Sequence, residues 1–149
     1  MSTWRHLFLD GEFSPRLRLL SGLTLAQVLR RPAGASHSIY EELWHTAKWQ
    51  TIVVGRDQAA RDAYLSEGFQ YPDQTPDDEQ AWSALVKEFL LGAEKAVEWG
   101  QSSEEQAAEV EVGVTVRDVL EGLAVHNAYH LGKIVALRQA IGAWPPPSE

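Results

Sequence analysis

The sequence predicts an all-α protein, an antiparallel four-helix bundle. Apolar residues recur at three- and four-residue steps, cap signals precede those stretches, and period-two alternation is almost absent. The 149 residues form one domain, 1–149, long enough to bury a single hydrophobic core.

The first helical region, residues 3 to about 23, is broken near Gly11 and Pro15 into two short pieces. Residues 24–35 read as a short turn and a loop. The second helix opens with a capping box, Ser38 and Glu41, in which each side chain serves the other residue's backbone N–H. It runs through Trp44, His45 and Trp49 to about Gly55, and residues 56–66 could continue it. Residues 68–76 form a loop. Thr75-Pro76, a cap followed by proline, predicts the start of a third helix. Its apolar face is Trp82, Leu85, Phe89, Ala93 and Val97, and Gly100 stops it. Residues 101–114 are polar, with Glu109-Val110-Glu111-Val112 read as a lone extended segment. A second box, Thr115 and Asp118, opens the fourth helix, which closes at Gly142.

Composition removes several function classes. A net charge of −8 leaves no basic face to displace counterions, so no nucleic acid is expected as a partner. The acidic clusters in 73–79 and 98–111 read as solvated loops or helix starts. No uncharged apolar run approaches the ~20 residues of a membrane span, so no membrane is expected either. With no cysteine there is no disulfide, thiolate nucleophile or cysteine-based zinc site. The opening Met1-Ser2-Thr3-Trp4-Arg5-His6 lacks the basic and apolar regions of a signal peptide, and the expectation is a cytoplasmic protein.

The chemistry lies in the histidines. His126 and His130 stand four residues apart on the fourth helix, on one face with Cβ atoms roughly 5–6 Å apart. His130 shares an inward stripe with Val116, Val119, Leu123, Ile134, Leu137 and Ile141, and His126 lies on its edge. With His45 from the second helix they would make a metal site with open positions. The alternative is a set of hydrogen-bonded core histidines. His45 shares a face with Ser38, Trp49 and Ile52, opposite Leu43, Ala47 and Val54, so it could simply pack beside Trp49. His6 and His37 are expected to face solvent.

Sharper metal motifs fail. A zincin needs His-Glu-x-x-His, and Asn127 occupies the Glu position. A di-iron bundle needs two Glu-x-x-His pairs, and only Glu42 with His45 provides one. A mononuclear site remains, for which Glu41, Glu42, Asn127 and Tyr129 are candidates to orient a ligand. Zinc and nickel both suit imidazole donors.

The run Ser38-Ile39…Leu43-Trp44-His45-Thr46-Ala47-Lys48-Trp49, followed by His126-Asn127-Ala128-Tyr129-His130-Leu131-Gly132-Lys133-Ile134…Leu137-Arg138, resembles the DinB-like (YfiT-like) superfamily, as does the ending Gly142-Ala143-Trp144-Pro145-Pro146. That resemblance covers essentially the whole chain. It implies a four-helix bundle with one divalent metal on His45, His126 and His130, and a homodimer. Members of the family include thiol S-transferases that use low-molecular-weight thiols and a thiol-dependent isomerase, and many others are labelled metal-dependent hydrolases. The expected function is therefore a metal-dependent transferase of the thiol S-transferase type, or a hydrolase, acting on a small molecule. Two other readings stay open. One is a non-catalytic metal-binding bundle with a stress-related or structural role. The other is a plain partner surface, with Trp4 and Trp144 in an aromatic patch.

Overall fold

The computed structural model describes residues 2–68 and 70–148, and helices make up most of that length. The first, α1 (Thr3–Arg5), is capped by the Ser2 side chain and runs directly into a π-helical stretch, His6–Asp10. Gly11, at φ 68°, ends it, as glycine can in a region closed to most side chains. Two short helices follow, α2 (Arg16–Leu19) and α3 (Leu25–Leu29). The latter carries a capping box of Thr24 and Gln27 where the sequence suggests only a turn.

Helix α4 (Ile39–Gly55) starts at the expected Ser38–Glu41 box. It does not continue through residues 56–66. Arg56 turns left-handed at φ 54°, and the Asp57 carboxylate then caps a separate helix, α5 (Gln58–Glu67), which buries none of its residues. Helix α6 (Gln80–Trp99) begins later than Thr75-Pro76 suggests. Asp78 supplies the acceptor for the Gln80 backbone N–H at 2.8 Å, and that cap prevails. After α7 (Ser103–Ala107), the segment expected to be lone is paired. Strands β1 (Glu109–Glu111) and β2 (Val114–Thr115) form an antiparallel hairpin around Gly113, leading into α8 (Val116–Ala140).

Helix α4 packs against α6 on one side and α8 on the other, and the N-terminal helical stretch contacts both α6 and α8. The core is split into two apolar clusters. One gathers Leu20, Leu25, Val28, Ile39, Leu43, Phe89, Leu131 and Ile134, and the other Trp4, Phe8, Ala93, Ala96, Trp99, Leu120 and Leu123. Trp4 is thus a core residue, against the idea of a terminal aromatic patch.

A polar seam lies between the clusters. The buried Gln50 amide on α4 donates to the Phe89 carbonyl of α6 at 2.7 Å, and its oxygen accepts from Asn127 of α8 at 2.8 Å. Gly92 makes room for it: a Cβ there would meet Gln50 Nε2 at 2.5 Å. The buried face of α8 is also wider than the expected stripe. Leu120, Ala124, Asn127, Leu131 and Arg138 join it, whereas Val119 and Ile141 are only partly covered, because α8 is flanked by more than one neighbour.

Arg138 is the largest fully buried side chain. Its guanidinium donates to the carbonyls of Ala143 at 2.9 Å, Leu19 at 2.7 Å and Ser21 at 2.8 Å, tying the α2–α3 turn and the C-terminal tail to α8. Arg138→Ala is expected to cost about 2–4 kcal/mol in urea unfolding, because it strands buried acceptors. Arg138→Lys should restore only part, since an ammonium lacks the planar fork.

Candidate metal centre

Two helices build the site. His45 lies on α4, and His126 and His130 lie one turn apart on α8. Each ring offers a nitrogen, and the three lie within 4.8 Å of one another. The Nε2 atoms of His45 and His126 are 3.1 Å apart. The His130 ring centre is 4.4 Å from that of His45 and 4.6 Å from that of His126. His45 and His130 are buried, and His126 is partly so. All three candidates from the sequence therefore meet at one point.

The outer ring nitrogens explain why the inner ones converge. His130 Nδ1–H donates to Glu42 Oε2 at 2.7 Å, and His45 Nδ1–H donates to the Gln70 carbonyl at 2.7 Å. A carbonyl and a carboxylate only accept, so each proton sits on Nδ1 and each Nε2 lone pair faces inward. His45 then presents a lone pair to His126 Nε2 at a distance where two lone pairs repel. Either a proton on His126 Nε2 or a shared cation must lie there. In either case His126 Nδ1 has no partner among the described residues. A cation takes up both lone pairs at once, so the donor set fits a metal.

Electrostatics act in the same direction. Burial, then the charges of His130 and His45, push His126 down to about 4, and burial also lowers His45. Both rings are therefore neutral near pH 7, the form a metal requires. Burial alone would raise Glu42. The His130 hydrogen bond and the charges of Lys133, His130 and His37 outweigh it and hold the carboxyl below its ordinary value. Glu42 is thus an anion at 2.7 Å from one candidate ligand, placed as the outer partner that metal-bound histidines commonly have.

The other proposed orienting residues have different duties. Glu41 caps α4 and pairs with Arg31 at 2.8 Å, and Asn127 serves Gln50. Tyr129 is exposed and stands edge-on to the His130 ring at 5.1 Å. His6 stays near the surface, 3.2 Å from Glu12. His37, expected in solvent, is instead stacked on Tyr71 at 3.5 Å and lies 3.6 Å from Glu42. The loop after α5 brings Tyr71 between His37 and His45, whose ring it also stacks on at 4.8 Å. Tyr64 places its hydroxyl 3.2 Å from His45 Nδ1. Nothing in the spacing of Tyr64, Gln70 and Tyr71 signals this, because a separate helix, α5, delivers the first, the loop beyond it delivers the other two, and Gln70 acts through its backbone.

Three imidazoles are the whole of this candidate ligand group among the described residues, which would leave further coordination positions of a bound ion to water or substrate. A family model described as the DinB superfamily matches residues 16–134, a span that includes all three histidines. No curated protein and no solved structure shows significant similarity to the chain.

Glu42→Gln keeps the shape but weakens the acceptor, and zinc affinity measured by chelator competition should fall about 10- to 100-fold. The metal-free protein should also be acid-sensitive in a defined window. His126 titrates near 6.5 when unfolded and at about 4 when folded, so its stabilisation is present above the first value and is lost as pH falls toward the second. The urea midpoint should drop between about pH 7 and about pH 5, and by less in His126→Gln. Equal drops in both proteins would remove His126 as the cause.

Proposed function

This chain belongs to the DinB superfamily, and on that premise we propose that it is a mononuclear metal enzyme acting on a small molecule. The reaction is transfer to or from a low-molecular-weight thiol, or hydrolysis. One observation carries this reading: three inward nitrogens lie within 4.8 Å, with no fourth protein ligand in the group among the described residues.

Zinc or nickel suits the donors. When bound, the ion supplies Lewis acidity toward a thiol or a water. The chain does the rest. His45, His126 and His130 hold the ion, and the Gln70 carbonyl and Glu42 fix two of the rings. Glu42 also offsets charge at an otherwise neutral ligand set. Burial of His45 and His130 limits bulk water on the protein side of the centre.

Several finer features belong to the same reading. The bundle is four-helical and antiparallel: as α4 runs from Glu42 to Gln50, its hydrogen-bonded partners on α8 step back from His130 to Asn127. The protein is a homodimer, for which exposed Val125 and Tyr129, one turn apart on α8, offer an apolar contact. It works in the cytoplasm, in keeping with a chain free of cysteine. No helix among the described residues is long and apolar enough to cross a membrane.

A non-catalytic metal-binding module is the second reading. It draws on Glu42, the carboxylate nearest the centre, being engaged by His130 rather than free to act as a base.

Chelator-free protein should hold about one zinc or nickel per chain by mass spectrometry, and His45→Ala and His130→Ala should lose it. Metal-dependent turnover in a thiol-transfer or ester-hydrolysis screen separates the enzyme from the module. Failure to take up stoichiometric metal even after reloading would overturn both.

A further inference from the structure

A cleft of about 450 Å³ lies beside the histidines, and none of them lines it. Its walls are Trp49, Ile52 and Val53 of α4 and Val119, Gly122 and Leu123 of α8, and the hairpin residues Val110 and Val114 also line it. Helical spacing connects it to the metal centre. On α4, His45, Trp49, Ile52 and Val53 follow one another at three- and four-residue steps, so they share a face. On α8, Val119, Gly122, Leu123, His126 and His130 do the same. Each helix therefore carries its candidate ligands and its cleft residues along one face. The near end of the cleft is one helical turn from the ligands, about 6 Å at 1.5 Å per residue. Trp49 joins the two regions: it lines the cleft, and its ring centre is 6.4 Å from that of His126.

The charges in the cleft are already engaged. Arg61 pairs with Glu111 at 2.6 Å, and Arg56 pairs with Glu105 at 3.4 Å while lying over the Trp99 ring. The Asp57 carboxylate caps α5, and the Asp118 carboxylate accepts from the Thr115 backbone N–H and hydroxyl at the start of α8. An ionic group entering here would meet no free counter-charge and would lose its hydration, whereas an apolar one would cover the exposed faces of Ile52, Val53 and Val119. Gly122 leaves part of the wall bare, since a Cβ there would meet nothing within 4 Å.

We propose that this cleft seats the uncharged, apolar body of the substrate whose reacting group binds at the three-histidine centre. The substrate class is thus a small amphiphile: a metal-binding head, such as a thiol, joined to an aliphatic or aromatic body. The inference rests on the open metal centre proposed above.

The test uses the full chain loaded with cobalt(II) and titrated with ethanethiol, butanethiol, hexanethiol and benzyl mercaptan, following the sulfur-to-cobalt charge-transfer band. Affinity should rise with chain length, by up to about fourfold per methylene that reaches the cleft. Gly122→Leu fills the bare wall, and there the longer thiols should lose their advantage over ethanethiol. Ile52→Gln, which makes the opposite wall polar, should flatten the series in the same way. Metal content and circular dichroism establish that each variant is folded and loaded. Equal affinity for all thiols in the wild type, or a chain-length dependence that survives in both folded variants, overturns the cleft as the seat. Absence of the band with every thiol overturns the open centre, and the cleft inference falls with it.

Discussion

The buried ion-assisted hydrogen bond between Glu42 and His130 is the contact on which the centre depends. It joins α4 to α8 at 2.7 Å and decides which nitrogen of His130 faces inward. It also holds the carboxyl below its ordinary pKa in a place where burial alone would raise it. Such a bond is a poor source of net stability, because two groups must shed water to form it. Its return is orientation. A ring free to rotate would present either nitrogen, and a three-nitrogen centre would lose its geometry.

The position of the centre along the bundle follows from the division of the core. Apolar residues fill α4 and α8 on either side of the level of His45 and His126, and at that level Gln50, Asn127 and Thr46 are buried instead. Gln50 has its amide donor and acceptor both engaged, by Phe89 and Asn127, so it is buried with little penalty, whereas the Asn127 oxygen has no partner among the described residues. The two apolar clusters hold α4 and α8 in register, and the seam leaves room for imidazoles at their shared edge. The histidine cluster thus occurs where close packing is interrupted, and the packing resumes on each side to hold it.

The outer side of the site has a different construction. Helix α5 buries nothing, and the loop beyond it supplies the Gln70 carbonyl and the Tyr71 ring. Half of the surroundings of His45 therefore come from a segment with few contacts to the core, which gives that side the lower local stability expected of surfaces that admit ligands. The cleft toward the hairpin has two walls on α4 and α8, in the well-packed part of the molecule, and is completed by residues of α5 and the hairpin.

The legibility of these features divides along physical lines. The long helices, the Ser38 and Thr115 boxes and the Gly100 stop depend on residues within a few positions of one another, so the sequence alone determined them. The clustering of the histidines was nearly as legible, because a four-residue step on one helix dictates that His126 and His130 share a face. Tertiary structure decided what local patterns leave open. The left turn at Arg56 broke an apolar run that could have continued, and Asp78 prevailed over Thr75-Pro76 as the start of α6. Glu42, rather than Glu41, Asn127 or Tyr129, became the partner of a ligand, since that depends on which face of α4 meets α8. The stacking of His37 on Tyr71 and the carbonyl of Gln70 behind His45 link residues 34 and 25 positions apart. Contacts of that kind carry no periodic signature and exist only once the chain has packed.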